Sequence, residues 1–282
     1  MVSLTRSQFL RQIALAGLGL AFAFTVNACA ADQTQQTNHS TTPDAGTTTQ
    51  STVLTIAIDP VFPPFQSDVE GELEGFEIDL LYAIAEASGF EVELEVLPFE
   101  DIIPALQAGT VDATISSMTI TADRSQQVDF SRPYFESGLA IAVPALAEEI
   151  ESFEDLEGKR VGVQSGTTGA AKATESNAQE IASFENSILA LQALANEEVD
   201  AVINDAPVNQ FVIRSGTIQG IRNIEEPLTQ EYYGMATPQN AADTLNLLNQ
   251  GLATIIEDGI YEEIYRSWFE GEPPELPEAA PL

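Results

Sequence analysis

Residues 76–97 read FEIDLLYAIAEASGFEVELEVL, and a change of period inside them sets the fold class. From Phe76 to Ser88 the apolar side chains recur at helical spacing, and Gly89 stands where a helix C-cap favours a left-handed residue. From Glu91 to Leu97 the pattern becomes strict alternation of charged and apolar residues, as a half-buried strand requires. Outward from this junction, Val53–Ile58 is a short apolar strand on one side. On the other side Asp101–Ala108 is a short helix stopped by Gly109, and Val111–Ile115 is the next strand. Strands separated by helices predict parallel βαβ units and an α/β domain.

The same alternation then restarts. Strands are expected at Gly138–Val143, Arg160–Val163, Val199–Ile203 and Tyr232–Thr237. Helical segments are expected at Ser152–Leu156, Gly166–Lys172, Ser187–Ala195, from Ala206, and over Ala241–Trp268 with a break at Gly259. Two successive α/β runs without a visible sequence repeat predict two lobes. In open α/β sheets ligands lie at the carboxyl ends of the strands, which places a binding cleft between the lobes.

Composition narrows the chemistry. Over 282 residues, 44 Asp and Glu oppose 10 Lys and Arg, for a net charge of −34. So acidic a surface repels phosphate backbones and excludes nucleic acid as a partner. His39 and Cys29 are the single histidine and the single cysteine, so histidine triads, clustered His/Cys metal sites and intrachain disulfides are excluded. No cofactor, no metal and no catalytic residue is expected.

The N-terminus reads as an address. Residues 1–28 carry Arg6 and Arg11 and no acid, and the apolar run from Ile13 to Val26 is shorter than the roughly 20 residues of a membrane-spanning helix. Val26-Asn27-Ala28-Cys29 resembles a lipobox, which implies acylation of Cys29. Thr5–Arg11 resembles a twin-arginine motif but has Ser7 at the second arginine position, which favours general export. Residues 30–51 hold seven Thr and no large apolar side chain, the composition of a disordered tether, and His39 falls inside it. GEPPELPEAAPL at 271–282 reads as a loose tail.

Three segments together resemble the family-3 extracellular solute-binding proteins, which deliver polar amino acids to ABC importers. They are Ile58–Phe65 (IDPVFPPF), Ser116–Arg124 (SSMTITADR) running on to Val128–Tyr134 (VDFSRPY), and Gly162–Gly169 (GVQSGTTG). The resemblance is strongest to glutamine- and arginine-type binders. It implies the two-lobed periplasmic-binding-protein (type II) fold, with two lobes joined by crossing strands near 134–139 and 230–234. The organisation is then 1–28 signal peptide, 29–51 lipidated cysteine and linker, 52–138 first lobe, 139–231 second lobe, 232–270 return to the first lobe, and 271–282 tail.

The resemblance also implies residue roles. Arg124, a guanidinium fork suited to bidentate pairing, would bind the ligand α-carboxylate. Ser117 and Thr119 would serve the carboxylate and amine. Thr168 would reach the α-carboxylate from the other lobe, in a turn whose N–H groups suit anions but which lacks the phosphate-loop spacing. Asp205 would accept the α-ammonium, with simple helix capping as its ordinary alternative. Phe62 and Phe99 would sandwich the ligand side chain, with Asp59 near the far end of that slot. Gln164 stands where some glutamine binders have lysine, and Gly169 lacks a side chain that some basic-residue binders carry. Glu77 and Asp79 read as structural.

The implied function is capture of a polar amino acid, glutamine or a basic one such as arginine or lysine, and its delivery to an ABC importer permease. The expected state is a non-enzymatic, monomeric lipoprotein of the cell envelope, held to the membrane only by its lipid. Two alternatives are a periplasmic cyclohexadienyl or arogenate dehydratase-like enzyme using Asp59 or Glu77 as acid or base, and a ligand-sensing subunit.

Overall fold

The computed structural model describes residues 52–225 and 227–281. The expected signal segment, Cys29, His39 and the rest of the linker to residue 51 lie outside the described residues.

The first run contains β1 (Thr52–Ile58), β2 (Val61–Phe62), β3 (Gln66–Val69), β4 (Glu72–Glu74), α1 (Phe76–Ser88) and β5 (Phe90–Val96). It continues with α2 (Phe99–Ala108), β6 (Ala113–Thr114), α3 (Ala122–Ser125) and β7 (Val128–Phe130). After β8 (Phe135–Ser137) come β9 (Leu139–Pro144), β10 (Arg160–Gln164), α4 (Thr168–Ala173), β11 (Glu180–Phe184) and α5 (Ser187–Ala195). They are followed by β12 (Ala201–Asp205), α6 (Ala206–Ser215) and β13 (Ile221–Asn223). The chain returns through β14 (Glu231–Tyr233) to β15 (Ala236–Pro238), α7 (Ala242–Glu257) and α8 (Ile260–Trp268).

The junction at 76–97 forms as its pattern dictates. α1 buries Phe76, Ile78, Leu80, Leu81, Ile84 and Ala85, and Gly89 ends it in the left-handed region at φ 72°, its N–H bonding the Ala85 carbonyl. β5 then pairs in parallel with β1, from Thr52 opposite Phe90 to Ile58 opposite Val96. The first sheet has the order β5-β1-β6-β15-β7 and the second β11-β10-β12-β9-β13.

Neither sheet is wholly parallel. β15 runs antiparallel to both β6 and β7, and β9 runs antiparallel to β12 and β13. The expected strand 111–115 shortens to Ala113–Thr114. The expected strand 232–237 divides, with β14 pairing β8 while β15 enters the first sheet. The break falls at Gly234, where a Cβ would stand 2.8 Å from the Ile120 side chain. The antiparallel meander β2-β3-β4 had no counterpart in the sequence reading.

β8 and β14 are the two crossing strands, paired with Phe135 opposite Tyr233 and Ser137 opposite Glu231. An aromatic cluster fixes them to the first lobe. Phe135 lies 4.8 Å from Phe65, 5.7 Å from Tyr233 and 5.0 Å from Phe269 between ring centroids. Among the described residues no helix is long and apolar enough to cross a membrane.

Candidate functional site

The carboxyl ends of β1, β10 and β12, with the turns that follow, open on one cleft. All nine residues singled out from the sequence line it (Asp59, Phe62, Phe99, Ser117, Thr119, Arg124, Gln164, Thr168 and Asp205), joined by Ser116 and Thr167.

Arg124 sits on the short helix α3, started by Thr121, whose hydroxyl accepts the Arg124 N–H at 3.2 Å. Its guanidinium donates through Nη1 to the Thr119 carbonyl at 2.8 Å and through Nη2 to the Gly166 carbonyl at 3.0 Å. It also lies 5.3 Å above the Phe99 ring centroid. Burial pushes the Arg124 pKa down, while the carboxylates of Glu231 and Asp205 oppose that shift. These acids form no direct ion pair with it among the described residues, and Arg124 is the one cation of the cleft lining.

Ser117 is held in the left-handed region at φ 48°, a conformation that costs a non-glycine residue about 1 kcal/mol or more. Glu77 accounts for it. The Ser117 N–H lies 2.9 Å from Glu77 Oε1 and 3.2 Å from Oε2, and the Ser117 hydroxyl donates to Oε1 at 2.8 Å. The Tyr134 hydroxyl adds a fourth bond at 2.5 Å. Glu77 is fully buried, and burial pushes its carboxyl up to about 7 against the pull of Tyr134 and Ser117. Both Ser117 donors being engaged, only its oxygens are left for a ligand, which suits an ammonium rather than a carboxylate.

On the second lobe, Thr167 caps α4, its hydroxyl accepting the Ala170 N–H at 3.1 Å and donating to the Gln164 carbonyl at 2.8 Å. The neighbouring Thr168 hydroxyl donates to Glu231 Oε2 at 2.9 Å, and Thr119 donates to the same oxygen at 2.7 Å. A hydroxyl has one proton, so both threonines present lone pairs to the cleft. Asp205 occupies the N-cap position of α6 but makes no capping hydrogen bond. It accepts instead from the Ser137 hydroxyl at 3.3 Å and from Tyr233. Burial and the charge of Glu231 push its carboxyl up to about 7, despite those bonds and Arg124.

Also in the cleft lining, Asp59 accepts from Gln164 Nε2 at 2.8 Å and from the Val61 N–H at 3.3 Å. Burial pushes its carboxyl up; the two donors oppose this, and Glu185 nearby adds to it. Two aromatic rings, Phe62 and Phe99, line the space with it. The cleft thus offers a cation with acids near it, two aromatic rings, one of them beneath that cation, and a further acid in Asp59.

Such a bipolar cleft between two sheets joined by crossing strands has known relatives. The sequence profile of the bacterial extracellular solute-binding proteins, family 3, matches residues 54–271. The chain belongs to that family. This solute-binding protein is 35% identical over 226 residues to a probable histidine-binding protein of Neisseria gonorrhoeae, across 78% of this chain and 84% of the relative. A solved ancestral arginine-binding protein bound to arginine matches with a TM-score of 0.74 at 39% identity, across 77% of this chain and 98% of that one. The arginine-, lysine-, histidine-binding protein of Geobacillus stearothermophilus matches with a TM-score of 0.75 at 36% identity, across 79% and 97%. The fold is the two-lobed type II periplasmic-binding-protein fold.

Two features of this solute-binding protein escaped the sequence reading. Glu231 is only 9% exposed and joins both threonines, yet it is one acid among 44 and carries no local signal. Gly169 looked like a missing cleft side chain. In the structure a Cβ there would stand 2.9 Å from the Ile203 carbonyl, so the glycine serves the packing of α4 on β12.

Proposed function

We propose that this protein captures a polar α-amino acid between its lobes and hands it to an ABC importer. One observation carries the reading: a buried guanidinium, Arg124, with the carboxylates of Glu231 and Asp205 close enough to act on it. A zwitterion satisfies that arrangement. Its carboxylate takes the Arg124 guanidinium, and its ammonium takes Asp205 and the oxygens of Ser117 and Thr119. Closure removes both charged ends from water, so an analogue lacking either end leaves a buried group unpaired and is rejected. Ligand contacts drawn from both lobes supply the differential affinity that favours the closed arrangement.

The side-chain end favours a basic amino acid. Asp59, with Glu185 near it, offers negative charge to a cation, and the Phe62 and Phe99 faces suit its aliphatic stem. Relatives named for histidine and arginine support this reading. The protein acts outside the cytoplasm as a monomer anchored by a lipid on Cys29.

Calorimetric titration of the purified protein with all twenty amino acids tests the proposal. Micromolar or tighter binding of arginine, lysine or histidine is the expected result, and silence across the panel refutes it. An enzymatic reading rests on Asp59, a cleft acid with a raised pKa. Incubation with prephenate and arogenate is expected to leave both intact; turnover would favour the dehydratase.

A further inference from the structure

Glu231 does not line the cleft, yet two cleft hydroxyls end on it. Its Oε2 accepts from Thr119 at 2.7 Å and from Thr168 at 2.9 Å, and its Oε1 accepts from Thr229 at 3.0 Å. Thr119 belongs to the first lobe and Thr168 begins α4 in the second. Glu231 stands between them on the crossing strand β14, opposite Ser137 of β8. One carboxylate oxygen therefore ties a side chain of each lobe to the hinge. At 9% exposure the bonds are charge-assisted and little screened by water, about twice as strong as neutral ones. Separation of the lobes takes at least one of the two threonines away from it.

The other side-chain bridges between the lobes differ in kind. Gln164 to Asp59 and Arg124 to the Gly166 carbonyl use polar or charged groups that themselves line the cleft, and Arg214 to Glu270 is a solvent-exposed ion pair outside that lining. The Glu231 carboxylate lies outside that lining, is largely buried, and reaches the cleft only through the two threonine hydroxyls.

We infer that Glu231 is a latch, a positioning residue that favours lobe closure through contacts independent of the ligand's identity. The inference rests on the reading of the protein as a two-lobed amino-acid trap. A ligand-independent contribution to closure raises the population of the binding-competent state, and so scales every affinity by one factor. A residue that contacts the ligand side chain would change the ratios instead.

Small-angle X-ray scattering of wild type, Glu231→Gln and Glu231→Ala without added ligand tests it, with circular dichroism to establish folding. The radius of gyration is expected to rise in Glu231→Ala and to rise less in Glu231→Gln, whose amide oxygen keeps one acceptor. Saturating L-arginine returns all three to one compact value. Calorimetric affinities for L-arginine and L-glutamine weaken together, by about tenfold or more. Equal radii for wild type and both variants, or weakening confined to one ligand, overturns the latch. Should Glu231→Ala not fold, Glu231→Gln alone decides. If none of the twenty amino acids binds wild type, the functional reading falls, and the ligand-free radii still decide the latch.

Discussion

Replacing Arg124 by Ala removes the single cation among the cleft-lining residues, and the structure sets the size of the effect. The guanidinium is 8% exposed and already bonds two carbonyls, so a ligand carboxylate meets a charge that is fixed in place and largely out of water. Truncating one partner of such a buried pair costs about 2–5 kcal/mol, and the nearby Glu231 and Asp205, left without a cation, push toward the upper half of that range. A loss of about 3–5 kcal/mol corresponds to a dissociation constant roughly 10²–10⁴ times larger. Arg124→Lys keeps the charge but cannot reach the Thr119 and Gly166 carbonyls and the ligand together, so an intermediate loss of about tenfold is expected. Calorimetry of both variants against the best wild-type ligand provides the numbers, and thermal melts establish that they fold. An Arg124→Ala affinity within threefold of wild type would refute the assignment of the ligand carboxylate to this residue.

Asp205 and Glu77 both have carboxyls raised to about 7, so between about pH 4 and 7 the native state holds protons that the unfolded chain has released. Stability should therefore fall as pH rises through that window, and Asp205→Asn should flatten part of the slope in melting temperature against pH. An ammonium favours ionised Asp205, so binding should release protons and tighten from pH 5 to 8; titrations in buffers of different ionisation enthalpy would expose the opposite sign. Glu77→Ala removes the acceptor that holds Ser117 at positive φ, and should lower stability by about 3 kcal/mol in denaturant melts while also weakening a cleft that Glu77 does not line. Gly169→Ala forces a methyl against the Ile203 carbonyl and should lower stability by about 1–3 kcal/mol, so a neutral denaturant midpoint would contradict the packing described.

Where a local pattern decided the structure, it was legible. Phe76–Ser88 and Ser187–Ala195 form helices over the ranges their spacing indicates, because caps and apolar faces act within a few residues. Tyr232–Thr237 looked like one strand because its period does not change at Gly234; only partners a hundred residues earlier in the chain send its two halves to different sheets. Residue types shared with a known family brought the cleft residues into view together. The hydrogen-bond direction at Ser117, Thr119 and Thr168 was not legible, since it depends on two buried acids, Glu77 and Glu231, that resemble any others in so acidic a chain. Thr119 meets Glu231 across 112 positions, a pairing without sequence periodicity.

The position of β15 has a consequence for how the chain is made. Residues 236–238 insert between β6 and β7, in the interior of a sheet whose first strand begins at Thr52. That sheet stays incomplete until nearly the whole chain has been delivered, and closing so long a loop slows its assembly. The second sheet draws all five strands from the contiguous span 139–223 and has no such wait. Order of folding is thus written into connectivity: the middle of the sequence sets first, and the sheet that holds the opening strand stays unfinished until β15 slides in between β6 and β7.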